Sequence, residues 1–386
     1  RCLYSRNISN LMMAGRDISV SHVALGSTRL IATCGAEGQA AGTAAALCKK
    51  YYCFPRDIYR RHIRELQYLL LRDDAHLLNF PLREEDNLAQ RATVTASSFA
   101  DAVPFDRAAV RPSKAHECDS HDRAVRIPWR GGRLTGAWAL LENRTERPVE
   151  IQLQLRVAES AHQMSVAEPA AVATASAASG RNWVRFDFDI DCGSAKTLWF
   201  VVPATRGVSW WLTDVAPTGA SRAWSPAGKN EWHEVGEVYA LCTEPAVSIL
   251  EDCRPEKVAD GFSRPNGPDY CGWMSAPGQK LPQRIELRWP QPHTVAQVEI
   301  VFDTNLDARW PRQLYEPEVV RDYAIEYLGA DGAWQRLIRV TDNYARFRVH
   351  RFSPVQTSAV RITVIRTGGA PEARIFEVRV YEQPGP

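Results

Sequence analysis

A chain of 386 residues is longer than one hydrophobic core usually organises, so two or three separately packed domains are expected. Apolar residues make up 45% and charged residues 24%, a balance that excludes extensive disorder. Lys and Arg exceed Asp and Glu by only 47 to 45, too small an excess to recruit nucleic acid or anionic lipid, and no apolar run reaches the roughly 18 residues that span a bilayer. The nine cysteines are scattered. The nearest pair, Cys48 and Cys53, falls on a helix and its end instead of in a CxxC clip, so reduced thiols are expected.

In chain order, residues 10–14 (NLMMA) read as a short buried strand stopped by a tight turn at Gly15. Residues 28–48 are rich in Gly and Ala, which lets a helix bring its backbone close to a neighbour or a ligand. Residues 56–72 place Ile58, Ile63, Leu66, Leu69 and Leu70 at helical spacing behind Pro55, a pattern for an amphipathic packing helix.

From residue 87 the pattern changes to period-two strands: 92–97 (ATVTAS), 149–157 (VEIQLQLRV), 183–190 (WVRFDFDI) and 197–202 (TLWFVV). These predict an antiparallel β-sandwich over 87–243, with the Ala/Ser-rich stretch 167–180 as a loop. A second β block over 244–386 has strands at 284–289, 294–302, 323–327, 359–365 and 375–381 and fits a jelly-roll sandwich. The acidic and histidine cluster 116–122 (HECDSHD) matches no tetrahedral metal spacing and reads as a solvated turn.

The stretch 10–43, NLMMAGRDISVSHVALGSTRLIATCGAEGQAAGT, closely resembles the C-terminal flavin segment of FAD-dependent oxidoreductases of the glutathione-reductase-like class. The resemblance implies that residues 1–80 are the helical cap of an incomplete Rossmann-type domain. Gly15 would admit the cofactor, Arg16 would hold the variable position, and Asp17 would accept a ribityl hydroxyl of FAD. Gly38, Gln39, Ala41 and Gly42 would lie at or near the first turn of a helix facing the flavin ring, where an N-terminus stabilises negative charge. His22 would exchange a proton during hydride transfer at flavin N5, and Arg29 would clamp the substrate. Their structural alternatives are a hydrogen-bonded histidine and a loop-bracing arginine. No GxGxxG turn occurs in the chain. The ADP-binding half of the flavin domain is therefore expected as a partner, in earlier residues of a longer polypeptide or in another chain.

The last block resembles the discoidin-like, galactose-binding-like sandwiches used as carbohydrate-binding modules, through VADGFSRPNGPDYCGWMS near its start and ARIFEVRVYE at its end. That likeness implies a structural Ca²⁺ on Asp260 and Glu377, and a glycan edge built from Trp273, Arg309 and Trp310. The leading expectation is thus the back end of an FAD-dependent oxidoreductase acting on a small polar or sugar-like substrate. The alternative is a carbohydrate-binding or architectural β-sandwich fragment without catalysis. Reduced thiols favour the cytoplasm, whereas the sugar-module likeness favours export.

Overall fold

The computed structural model describes residues 1–158, 168–193, 197–217, 219–266, 270–305 and 316–383. The backbone divides into two units. One comprises Arg1–Phe99, Arg254–Asn266 and Cys271–Pro386, and the other is built on Ala100–Cys253.

The first unit begins with α1 (His22–Thr28), α2 (Ile31–Tyr51), α3 (Pro55–Arg61) and α4 (Ile63–Arg72). Ser21 caps α1 by accepting the Ala24 N–H, and the Arg29 N–H closes its last turn on the Leu25 carbonyl. Leu30 is extended, so the single helix expected from residue 28 is split and α2 starts afresh at Ile31. Ala44 and Leu47 of α2 meet Ile58 of α3 in a small core, with Met12, Cys48, Cys53, Leu66 and Leu69 packed around it. The buried strand expected at 10–14 does not form. Met12 makes one isolated bridge to Tyr4, and Gly15–Asp17 follows as a 3-10 turn, because no further strand flanks this run among the described residues.

The rest of this unit is a folded-over antiparallel sheet. Its order runs Trp273–Met274, Arg374–Tyr381, Gln283–Phe302, Phe347–Thr367, Val320–Leu328, Trp334–Val340. The two strands expected at 284–289 and 294–302 are one continuous strand. Its register breaks between Arg288 and His293, where Pro290 and Pro292 have no N–H to give the ladder. The bend lets one strand serve both layers around a core that includes Trp273, Trp289, Phe302 and Tyr323. Thr93–Ala96 was expected to open the first sandwich; instead it pairs with Ile285 through Arg288 of this sheet.

The second unit packs two six-stranded antiparallel sheets face to face. Arg133–Asn143, Gly180–Asp191 and Val208–Thr213 run through one sheet, and His121–Pro128, Thr197–Val202 and Val149–Ala158 through the other. Leu141, Phe186, Trp210 and Tyr239 from the first sheet and Ile127, Leu153 and Phe200 from the second share one core. Part of the stretch read as a loop, Ala171–Ala177, is an edge strand on Val149–Ala158. Ala173 and Ala177 are small enough to lie against that core, so burial overrides the weak strand propensity of alanine.

Candidate functional site

Gly15 sits at φ +84, a backbone conformation that favours glycine, and its N–H donates to Glu37 Oε2 at 2.9 Å, tying the 3-10 turn to α2. Arg16 and Asp17 of that turn are exposed, as are His22 at the start of α1 and Arg29 at its end. Gly38, Gln39, Ala41 and Gly42 require a correction: they lie well inside α2, where their N–H groups belong to the helix. The N–H groups without an intrahelical acceptor are those of Ile31, Ala32 and Thr33, since the Cys34 N–H already bonds to Leu30 O.

What α2 does offer is an open face. A Cβ added at Gly35, Gly38 or Gly42 would meet nothing within 4 Å, so no packing within the described structure demands glycine there. Leu30 and Ile31, which lead into α2, are 57% and 93% exposed, and Val23 of α1 is 88% exposed. Gly15 thus has a backbone angle that favours glycine, the Asp17 side chain is exposed, and no side chain obstructs the Gly35, Gly38 and Gly42 stripe.

The expected calcium pair does not fit a metal. Among the described residues no group of three or more His, Cys, Asp or Glu side chains comes together around a common point. Asp260 accepts the Phe262 N–H at 2.9 Å, and burial pushes its carboxyl up to about 6. Glu377 Oε2 accepts from Arg379 at 2.7 Å. A Ca²⁺ site takes six to eight oxygens with enough carboxylate to offset the charge, and here one of two acids is spent on a guanidinium. Trp273 is also reassigned. It is 0% exposed and donates its Nε1–H to Ser98 O at 2.9 Å, so its ring fills the core and offers no stacking surface. Arg309 and Trp310 lie outside the described residues.

In the other unit the HECDSHD side chains are individually engaged. His116 Nδ1 lies 3.1 Å from Tyr239 Oη, and burial pulls this histidine down to about 4. Asp119 pairs with Arg144, Asp122 accepts the Ala204 N–H, and burial raises the Cys118 thiol to about 12.

A polar constellation that sequence reasoning missed lies where α4 meets Arg374–Tyr381. Arg379, 1% exposed, donates to Glu377 Oε2, to Glu299 Oε2 at 3.2 Å, and to the carbonyls of Arg72 at 3.0 Å and Leu71 at 3.3 Å. Arg72 in turn lies 3.2 Å from Glu299 and 3.3 Å from Glu84 and contacts the Tyr381 hydroxyl. Tyr381 donates to Glu84 Oε2 at 2.6 Å, and Tyr68 to Oε1 at 2.9 Å. Burial and the Glu84 carboxylate raise Tyr68 to about 12. Burial opposes the charge on Arg379, but Glu377, Tyr381 and Glu299 overcome it and hold its pKa above the ordinary value. Tyr68, Arg72, Glu299 and Tyr381 of this network line a cleft of about 730 Å³ together with Phe347, Arg91 and Arg351.

Residues 1–70 match the family model described as FAD dependent oxidoreductase. The flavin-enzyme likeness read from residues 10–43 therefore extends through α3 and nearly to the end of α4. No curated protein matches the chain. Among solved structures, similar ones include the family 32 carbohydrate-binding module from Streptococcus pneumoniae EndoD, at 19% identity and a TM-score of 0.28 over 33% of this chain and 84% of that one. The family 32 module from C. perfringens NanJ, solved with galactose, is 20% identical with a TM-score of 0.27 over 34% of this chain and 88% of that one. A chitosan-binding module from a Paenibacillus sp. IK-5 chitosanase/glucanase is 20% identical with a TM-score of 0.26 over 33% of this chain and 83% of that one.

Proposed function

We propose that residues 1–70 form one wall of the flavin site of an oxidoreductase, facing a dinucleotide-binding module that brings the ADP end of FAD. The observation that carries this reading is the open face of α2, where an unobstructed glycine stripe follows exposed Leu30 and Ile31, with exposed Val23 of α1 in the same segment, matched to FAD dependent oxidoreductases. Isolated exposed leucines are ordinary on protein surfaces. Three large apolar side chains, and glycines that no internal packing requires, are what a complementary module would cover.

When bound, the flavin supplies hydride acceptance and donation at N5. Asp17 accepts a ribityl hydroxyl, and Gly15 keeps the backbone low enough for contact. His22, exposed at the start of α1, holds or releases the substrate proton, and Arg29 binds a small polar or sugar-like substrate through its planar donors. The Gln283–Phe302 sandwich acts as the scaffold that seats α4, a role supported by the buried Arg72–Glu299–Arg379 network.

Gly38→Leu separates a flavin-facing glycine from a structural one. Position 38 is exposed inside a helix with nothing within 4 Å of an added Cβ, so the variant is expected to fold and to gain about 0.5–1 kcal/mol from helix propensity. In the complete flavin-bearing assembly the same leucine is expected to weaken FAD retention at least tenfold, measured as flavin released per mole on gel filtration. Wild-type retention in Gly38→Leu would refute the flavin-facing assignment of this face.

A further inference from the structure

The end of α2 places two thiols in a position that the rest of its chemistry leaves unused. Tyr52 adopts a left-handed conformation (φ 49), the Cys53 N–H bonds to Cys48 O at 3.0 Å, and the Tyr52 N–H bonds to Lys49 O at 3.4 Å. This is the paired 6→1 and 5→2 pattern of a Schellman cap, in which the side chains at the two ends of the 6→1 bond commonly touch. Here those side chains are Cys48 and Cys53. Both are free and half-buried, and both pack on the cluster of Ala44, Leu47 and Ile58. Burial, with Cys53 nearby, holds the Cys48 thiol above its usual pKa. Tyr52 between them is 97% exposed, so solvent reaches this end of the helix. The other cysteines are placed differently: Cys2 is exposed, Cys118, Cys192, Cys242, Cys253 and Cys271 are buried, and Cys34 donates its thiol to Thr28 O.

We propose that Cys48 and Cys53 are a thiol pair that closes to a disulfide by exchange with small-molecule disulfides, stapling the last turn of α2 to the segment that enters α3. One thiolate attacks the small disulfide and expels one small thiol. The second thiolate attacks the resulting mixed disulfide, forming the Cys48 Sγ–Cys53 Sγ bond and expelling the second small thiol. The pair loses two electrons, the small disulfide gains them, and the two thiol protons leave on the released thiols. A bridge requires Cα atoms within about 4.4–6.8 Å and side chains directed at each other, and the 6→1 backbone bond with packing on one shared cluster brings the two residues together at this turn. The inference is independent of the flavin assignment.

The test treats the reduced full chain with oxidised glutathione, followed by intact mass and tryptic mapping. Lys49 and Lys50 lie inside the bridged loop. Trypsin should therefore leave residues 30–49 and 51–56 joined only by the disulfide, with fragmentation assigning Cys48 in preference to Cys34. The expected result is loss of the Cys48 and Cys53 thiols with no glutathione retained on either, whatever the exposed Cys2 takes up, and a stable mixed disulfide on Cys53 in Cys48→Ser. Glutathione retained on the wild-type pair without closure, or closure between any other two cysteines under the same conditions, would overturn the proposal. Cys48→Ser/Cys53→Ser is expected to keep the circular dichroism of the reduced protein, so that a folding defect is not mistaken for a redox effect.

Discussion

Arg379→Ala is expected to destabilise the first unit by roughly 3–5 kcal/mol, because removing one member of a buried ion pair leaves its partner charged and unsolvated. Arg379 answers Glu377 and Glu299 at once, both of them buried, and the same two terminal nitrogens also reach the Arg72 and Leu71 carbonyls at the end of α4. The Leu71 carbonyl also accepts the Asp74 N–H at 3.2 Å, so at the end of α4 the variant chiefly deprives the Arg72 carbonyl of its donor, in addition to breaking the ion pair. Urea unfolding followed by a probe in α4 measures the effect. A loss below about 1 kcal/mol would mean that the network contributes no more than an exposed pair. Arg379→Met combined with Glu377→Met removes both charges and should recover most of the loss, since an apolar replacement of a buried pair is often neutral or better.

Asp260→Asn is expected to stabilise the same unit by on the order of 2 kcal/mol above pH 7, at the roughly 1.4 kcal/mol that each pKa unit represents. Burial raises the Asp260 carboxyl from 3.8 to about 6, with Glu377 adding to the rise and the Phe262 N–H and Lys257 opposing it. A carboxyl whose folded pKa is raised contributes stability that is complete below the unfolded value near 4 and is lost as pH rises through about 6. Asparagine keeps an acceptor for the Phe262 N–H and carries no charge. The stability difference between variant and wild type should therefore open between pH 4 and 7 and vanish at pH 4. If Asp260 were instead a calcium ligand, Asp260→Asn would be the less stable protein at pH 7.5 in calcium. That outcome would reinstate the metal site.

Much of this fold was legible because its patterns are local. Alternation in WVRFDFDI and IFEVRVY marks strands whatever they pair with, and Pro55 at the head of an amphipathic stretch marks α3. The errors came where a neighbour decides. Residues 290–292 look like an end of strand because of their prolines, and only the partner strand shows that the chain bends there and continues. Glu377, Arg379 and Tyr381 alternate with Phe376, Val378 and Val380, a pattern that does not show what meets their side chains; in the structure the end of α4 and Glu84 meet that face, and both sides of the strand are buried. Trp273 could be read as a sugar platform because an aromatic residue near an Asp-Gly turn looks the same in sequence whether its ring faces solvent or core. In the flavin-like segment, the tight turn at Gly15 was legible. The starting point of α2 was not, since it depends on the extended conformation of Leu30, an otherwise good helix former.

The central claim is that residues 1–70 belong to a flavin site. The most direct test is the visible absorbance of the protein purified natively from its source, with intact mass recorded for every polypeptide in the sample. Flavin bands, together with a dinucleotide-binding module in the same chain or an accompanying one, are the predicted result. A colourless preparation that contains such a module, yet takes up no added FAD, would contradict the claim.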